Sequence, residues 1–180
     1  MKIKSIKNRL REYFFLHPTS KLRVRQLERK IKAPLPSVIR YTKELEKEGI
    51  LKSAQIANIT TYSADRTSTI FLLEKRLFNI HQLYTSGLLD FLIEEFSNPV
   101  MVLFGSYARG EDVENSDIDL YIETPAKKEL SIESIEKFEK LLQRKIQIFT
   151  YKRLQDVKNK ELANNIINGH ILNGFMEVFT

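Results

Sequence analysis

Apolar positions along the chain recur in two rhythms, and the switches between them mark the elements. Ile3, Ile6, Leu10 and Phe14 repeat at helical spacing over about Ile3 to Leu16, and His17-Pro18 ends the run, because the residue before a proline is pushed out of the α region. Val24, Leu27 and Ile31 predict a short second helix. Past Ala33-Pro34-Leu35-Pro36 a third helix is predicted from about Ser37 to Glu48, closed by Gly49. Val38, Tyr41 or Thr42, and Leu45 would face inward, with Arg40, Lys43 and Lys47 on the opposite face. Ile50 to Ile56 and Ile59 to Tyr62 then read as strands joined by a turn at Ala57-Asn58.

From Thr67 to Ser97 the chain is apolar enough for two helices meeting near Ser86-Gly87, with no proline before Pro99. The stripe is wider than one buried face of a surface helix requires, so either another part of the chain or a second copy should cover it. Val100 to Phe104 reads as a buried strand, Tyr107 to Gly110 as one or two helical turns, and Glu111 to Ser116 as a polar loop. Asp117 to Ile122 is a second strand, Ile132 to Leu142 a helix, and Arg144 to Phe149 a strand by alternation. Lys152 to Thr180 reads as helical, with Leu154, Val157, Leu162, Ile166, Ile171, Phe175 and Val178 forming a broken stripe. No apolar run approaches the length of a membrane span.

Composition narrows the chemistry. With no cysteine, disulfides, thiolate zinc sites and cysteine nucleophiles are excluded. His17, His81 and His170 show no ligand spacing, and His170 has no acid or nucleophile beside it. The N-terminus lacks the apolar core of a secretory signal, so a cytoplasmic location and no membrane partner are expected. Charge is divided unevenly. Residues 1–66 carry 16 Lys and Arg against 6 Asp and Glu, a net of +10, whereas residues 67–180 carry 13 against 17, a net of −4. Such a split suggests modules with different partners: 1–66, a helical connector and candidate dimerisation segment at 67–97, and 98–180.

Helix, short helix, third helix and hairpin is the order of a winged helix-turn-helix. The stretch LRVRQLERKIKAPLPSVIRYTKELEKEGIL resembles the core of winged-helix transcriptional regulators. That resemblance implies a third helix in the major groove of double-stranded DNA and a hairpin at the backbone. Ser37, Arg40, Tyr41, Lys43 and Lys47 are then the residues to face DNA. Winged helices also serve as protein-interaction modules, and a lysine-rich face is often only solvated; the DNA reading rests on the charge excess. Regulators of this kind commonly pair through a following helix, so a homodimer is expected.

The second half poses a sharper question: two aspartates interrupt the apolar strand Asp117-Ile118-Asp119-Leu120-Tyr121-Ile122. Residues i and i+2 of a strand project to one side, which puts these carboxylates about 7 Å apart at Cα. Paired oxygens of this kind suit Mg²⁺ (or Mn²⁺) shared with substrate phosphates. Upstream, Gly105 lets a phosphate approach the backbone, Ser106 adds a hydroxyl, and Arg109 lies one turn on.

The whole stretch GSYARGEDVENSDIDLYIE resembles the signature of the DNA polymerase β-type nucleotidyltransferase superfamily, in particular its minimal nucleotidyltransferase branch. The resemblance implies that Gly105, Ser106 and Arg109 bind an NTP and that Asp117 and Asp119 hold the catalytic metals. It also implies transfer of a nucleoside monophosphate to an acceptor with release of pyrophosphate, and a small helical partner protein.

The chain departs from that pattern at one place. Where the superfamily sets a third carboxylate on a later, adjacent strand, this sequence reads Ile146-Gln147-Ile148. A glutamine carbonyl can ligate a cation but cannot accept a proton as a base. Glu111, Asp112 and Glu114 in the polar loop are candidate substitutes, whereas Glu123 is about 13 Å along the strand from Asp119. The fold expected is α+β: an N-terminal winged helix-turn-helix, a helical connector and a C-terminal polymerase β-like nucleotidyltransferase domain with a small mixed sheet. Two functions follow: a Mg²⁺-dependent nucleotidyltransferase with a DNA-binding module, or a DNA-binding transcriptional regulator whose transferase fold binds nucleotide or a partner protein with little or no catalysis.

Overall fold

The computed structural model describes residues 5–125 and 130–178, and the chain divides into two compact units at 78/79. In the N-terminal unit, helix α1 (Ile6–Leu16) is capped by Ser5, whose hydroxyl accepts from the Asn8 amide. It buries Leu10, Phe14 and Phe15; Ile3, expected to open the stripe, lies outside the described residues. Helix α2 (Val24–Ile31) buries Leu27 and Ile31 and ends on Lys32 in the left-handed region. Helix α3 (Leu35–Lys47) starts earlier than predicted, because Pro36 fits its first turn, where the missing N–H would have had no helical partner. Between Tyr41 and Thr42 the core takes Thr42, whose buried hydroxyl donates to the Val38 carbonyl at 2.9 Å.

Strands β1 (Leu51–Ile56) and β2 (Ile59–Ala64) form the antiparallel hairpin, two residues longer at its end than expected. Ala57 and Asn58 both have positive φ, +46° and +62°, the paired left-handed turn whose twist matches the strands. A bridge between Leu22 and Tyr62, bonded in both directions at 2.9 and 2.8 Å, ties the segment before α2 to the hairpin. Helix α4 (Thr69–Thr85) begins in this unit, where Phe71 and Phe78 pack on Phe15.

The C-terminal unit is built on a four-stranded mixed sheet. Helix α5 (Leu88–Glu95) leads into β3 (Val100–Phe104), which turns directly into the short helix α6 (Gly105–Arg109). After the polar loop come β4 (Ile118–Glu123), α7 (Ile132–Leu142) and β5 (Ile146–Tyr151). With β6 (His170–Asn173) at the edge, the strand order is β5-β4-β3-β6, with β4 antiparallel to β3 and parallel to β5. Leu103, Ile118, Leu120 and Ile122 on one face meet Leu88, Leu92, Phe138 and Leu142 of the helices. Val102, Phe104 and Tyr121 on the other meet Leu154, Val157 and Ile166.

Three expectations are corrected. Lys152 to Thr180 is not helical throughout: a 3-10 turn (Leu154–Asp156) and helix α8 (Lys160–Ile167) are followed by β6 (His170–Asn173), which pairs with β3. The reason is Gly169. A Cβ there would meet Val102 Cγ1 at 2.5 Å and the Leu103 carbonyl at 2.6 Å, so only glycine lets the chain press onto the sheet and fill the open edge of β3. The helical stripe yields to strand pairing, Leu172 is buried, and His170 becomes a strand residue opposite Leu103. The second strand begins at Ile118, leaving Asp117 just outside it; the first bond to the neighbouring strand region runs from Ile118 N to the Lys145 carbonyl at 2.8 Å. The last strand begins at Ile146, since Arg144 turns into the interior.

Candidate active site

The site forms where β3 becomes α6. Phe104 is still extended when Gly105 turns the chain at φ +75°, and Gly110 ends the helical turn at φ +74°. Register then sets what lies opposite: Phe104 pairs with Asp119 across the antiparallel ladder, and on the other side of β4 Asp119 pairs with Gln147. A Cβ built on Gly105 would come within 2.2 Å of Asp119 Oδ2. The glycine is therefore required twice, by its backbone angle and by the carboxylate lying against its Cα.

Asp119 is half-buried and Asp117 exposed. Burial pushes the Asp119 pKa above the ordinary carboxylate value, the Asp117 charge pushes it further, and Arg109 pulls it back. Two acids and a guanidinium thus share one electrostatic neighbourhood. Arg109 is itself exposed and donates from Nε to Glu111 at 2.7 Å. Ser106 is half-buried at the start of α6, its carbonyl accepting from the Glu111 amide at 3.0 Å. Asp117 also lines an open cleft of ≈ 510 Å³ walled by Ser116, Glu139 and Lys145.

The structure brings Gly105, Asp119 and Gln147 into one strip across three strand ends, and it puts no acid where Gln147 stands. Of the candidate substitutes, Glu114 lines the same cleft as Asp117; the other acids are engaged elsewhere. Asp112 is 1% exposed, accepts from Asn79 at 2.8 Å and pairs with buried Arg144 at 3.4 Å, so it does not stand in for the third acid. Glu111 holds Arg109. Glu123 accepts from the Tyr121 hydroxyl at 2.8 Å and the Leu154 amide at 3.1 Å. Among the described residues no three His, Asp or Glu side chains gather as a metal-holding group.

Sequence reasoning missed the network beneath the site. Asn79 donates to the Tyr107 carbonyl at 2.9 Å as well as to Asp112, so one amide anchors both α6 and the loop that delivers Asp117. Burial and the nearby Asp112 charge raise the Tyr107 pKa, and Arg144 opposes them. The signal was available: Asn79 is a polar residue inside the run Leu77 to Leu83, and Arg144 opens an alternating strand.

In the N-terminal unit, Arg40, Lys43 and Lys47 are exposed on α3, while Ser37 and Tyr41 are half-buried. Glu44 sits among them, 3.7 Å from Arg40.

Residues 86–173 match the model of the nucleotidyltransferase domain family. The match supports a transferase and, in general terms, transfer of a nucleoside monophosphate. It spans the connection into α5, the Gly-Ser turn, both aspartates and β6, and it leaves the N-terminal unit outside. No curated protein and no solved structure matches the chain. No helix among the described residues is long and apolar enough to cross a membrane.

Proposed function

Taking residues 86–173 as a nucleotidyltransferase domain, we propose that it binds an NTP at Gly105, Ser106 and Arg109. Asp117 and Asp119 would hold Mg²⁺ or Mn²⁺, and a nucleoside monophosphate would pass to an acceptor. The observation that carries this reading is the Asp119 carboxylate packed against Gly105 at the strand-to-helix turn, with the Asp117 charge beside it. The donor set fits the cation: two carboxylates and, in register, the amide oxygen of Gln147 are hard oxygen ligands. A divalent ion there would neutralise charge on the triphosphate and on the acids, of which Asp119 is held above the ordinary carboxylate pKa by burial and then by the Asp117 charge.

The chain's own residues set what the transfer can use. Gly105 and Ser106 offer a backbone without Cβ and a hydroxyl to the phosphates, and Arg109 must exchange Glu111 for a phosphate oxygen. An acceptor oxygen bonds to the α-phosphorus as the bond to the bridging oxygen breaks, and pyrophosphate leaves with that electron pair. Gln147 cannot take the acceptor's proton. That proton passes to water or to a substrate phosphate oxygen, or else the acceptor is already ionised, as a phosphate is. The N-terminal unit, on its helix–helix–helix–hairpin order and its charge, is proposed as a winged helix-turn-helix that binds double-stranded DNA. Ile70, Leu73 and Leu77, exposed at helical spacing on α4, support a homodimer.

Gln147 also favours a second reading, in which the domain binds nucleotide or a partner protein in a DNA-binding regulator and turns over slowly or not at all. Incubating the protein with each labelled NTP and Mg²⁺ or Mn²⁺, and following pyrophosphate release, separates the two. Transfer lost in Asp117→Asn and Asp119→Asn supports the enzyme. Transfer seen only after Gln147→Asp supports the regulator. Transfer that survives loss of either aspartate refutes the site.

A further inference from the structure

The positive charge of the N-terminal unit is not concentrated on the helix face that sequence reasoning assigned to DNA. Residues 35–48, α3 with its cap, carry three Lys and Arg and three Glu, a net of zero. Residues 21–32 carry six Lys and Arg and only Glu28, a net of +5. Arg40 lies over the Tyr41 ring at 4.3 Å and beside Glu44. Glu44 and Glu48 hold Lys7, at 3.3 and 2.5 Å, and Glu46 accepts from the Ser53 amide at 3.1 Å. Lys43 and Lys47 stay exposed on a helix whose charges, with its cap, sum to zero.

On α2 the situation is reversed. Arg23, Arg25 and Arg29 are exposed, and among the described residues none of them forms an ion pair with a carboxylate. All three line one cleft of ≈ 570 Å³, closed on its far side by Asn58 and Thr60 of the β1–β2 hairpin. Among the described residues that line it there is no acid and no aromatic ring. Three guanidinium forks with an amide and a hydroxyl suit oxyanions, while the missing ring leaves nothing to stack a base. Lys21, Lys30 and Lys32 are exposed on the same segment outside the cleft lining, and a polymer of phosphates can use such added charge where a single anion cannot.

We propose that the cleft between α2 and the β1–β2 hairpin, lined by Arg23, Arg25 and Arg29, is the phosphodiester-backbone site of the N-terminal unit, with the outer face of α3 contributing little to affinity. This rests on reading that unit as a nucleic-acid-binding module. The test uses the full chain with a labelled 20-bp DNA duplex and an RNA duplex of matching sequence, titrated between 50 and 200 mM salt. Each phosphate contact adds about 0.9 to the slope of log affinity against log salt. Replacing all three arginines by alanine should make the slope shallower by about 2.7, so that this salt rise costs the variant about 40-fold less affinity than the wild type.

Arg23→Lys, Arg25→Lys and Arg29→Lys combined should keep the slope, which guards against a folding artefact, and Lys43→Ala with Lys47→Ala should leave it nearly unchanged. Loss on both duplexes supports recognition of the shared backbone; loss on one identifies the source and supports the site equally. A triple alanine variant that binds with the wild-type slope, or a larger change in the α3 variant, overturns the inference while the module reading stands. A wild type that binds neither duplex overturns both.

Discussion

Gly105→Ala tests the site at its tightest point. Two separable penalties are expected. Gly105 has φ +75°, and holding an L-residue in the left-handed region costs about 1–2 kcal/mol. The new methyl would also sit 2.2 Å from Asp119 Oδ2 and 3.2 Å from its Cγ, an overpacking of a kind that costs about 1–3 kcal/mol. The chain supplies its own control. Gly87 has φ +77° with nothing within 4 Å of the position a Cβ would take, so Gly87→Ala should show the backbone penalty alone. A second control removes the clashing atoms: Asp119→Ala leaves only its Cβ, 3.5 Å away and in ordinary contact.

Urea titrations followed by circular dichroism on the four single and double variants give the coupling. Gly105→Ala should destabilise by about 2–5 kcal/mol in the wild-type background and by about 1–2 kcal/mol in the Asp119→Ala background. Pyrophosphate release should fall even where folding survives, because relieving the clash swings the carboxylate off its position. The reasoning is refuted if Gly105→Ala costs no more than Gly87→Ala, or if its cost is the same with and without the Asp119 carboxylate.

Asp112→Ala would remove the carboxylate that faces Arg144, whose side chain is only 4% exposed. Breaking a buried pair from one side costs about 3–5 kcal/mol, so a thermal melt should fall by at least about 6 °C; a drop of a degree or two would mean that the pair does not anchor the loop. Asp119→Asn should stabilise the metal-free protein. The folded pKa is raised, so the native state favours the protonated acid, and the stability associated with it is complete below the unfolded value and is lost as pH rises through the folded one. The gain from asparagine should accordingly be largest near neutrality and vanish in acid; urea midpoints that show a gain growing toward acid would contradict it. Added Mg²⁺ should raise the melting temperature of the wild type more than that of Asp119→Asn.

Where the chain bends, and with what period it buries its side chains, was written locally. Ala57-Asn58 sits between two alternating runs, Ser86-Gly87 between two helical ones, and Phe104-Gly105-Ser106 at a switch from one period to the other. These signals act over a few residues, so they survive without knowledge of the rest of the chain. Partnerships between distant segments did not show. The parallel pairing of β4 with β5 is what brings Gln147 beside Asp119. A separation of 32 residues hid the Asp112–Arg144 pair and turned an apparent spare acid into a buried one. Strand β6 was masked by a helical stripe, because hydrogen bonds at the open edge of β3, reached only through Gly169, outweigh local periodicity. Sequence distributes charges and apolar groups along a line; only the folded register decides which of them meet.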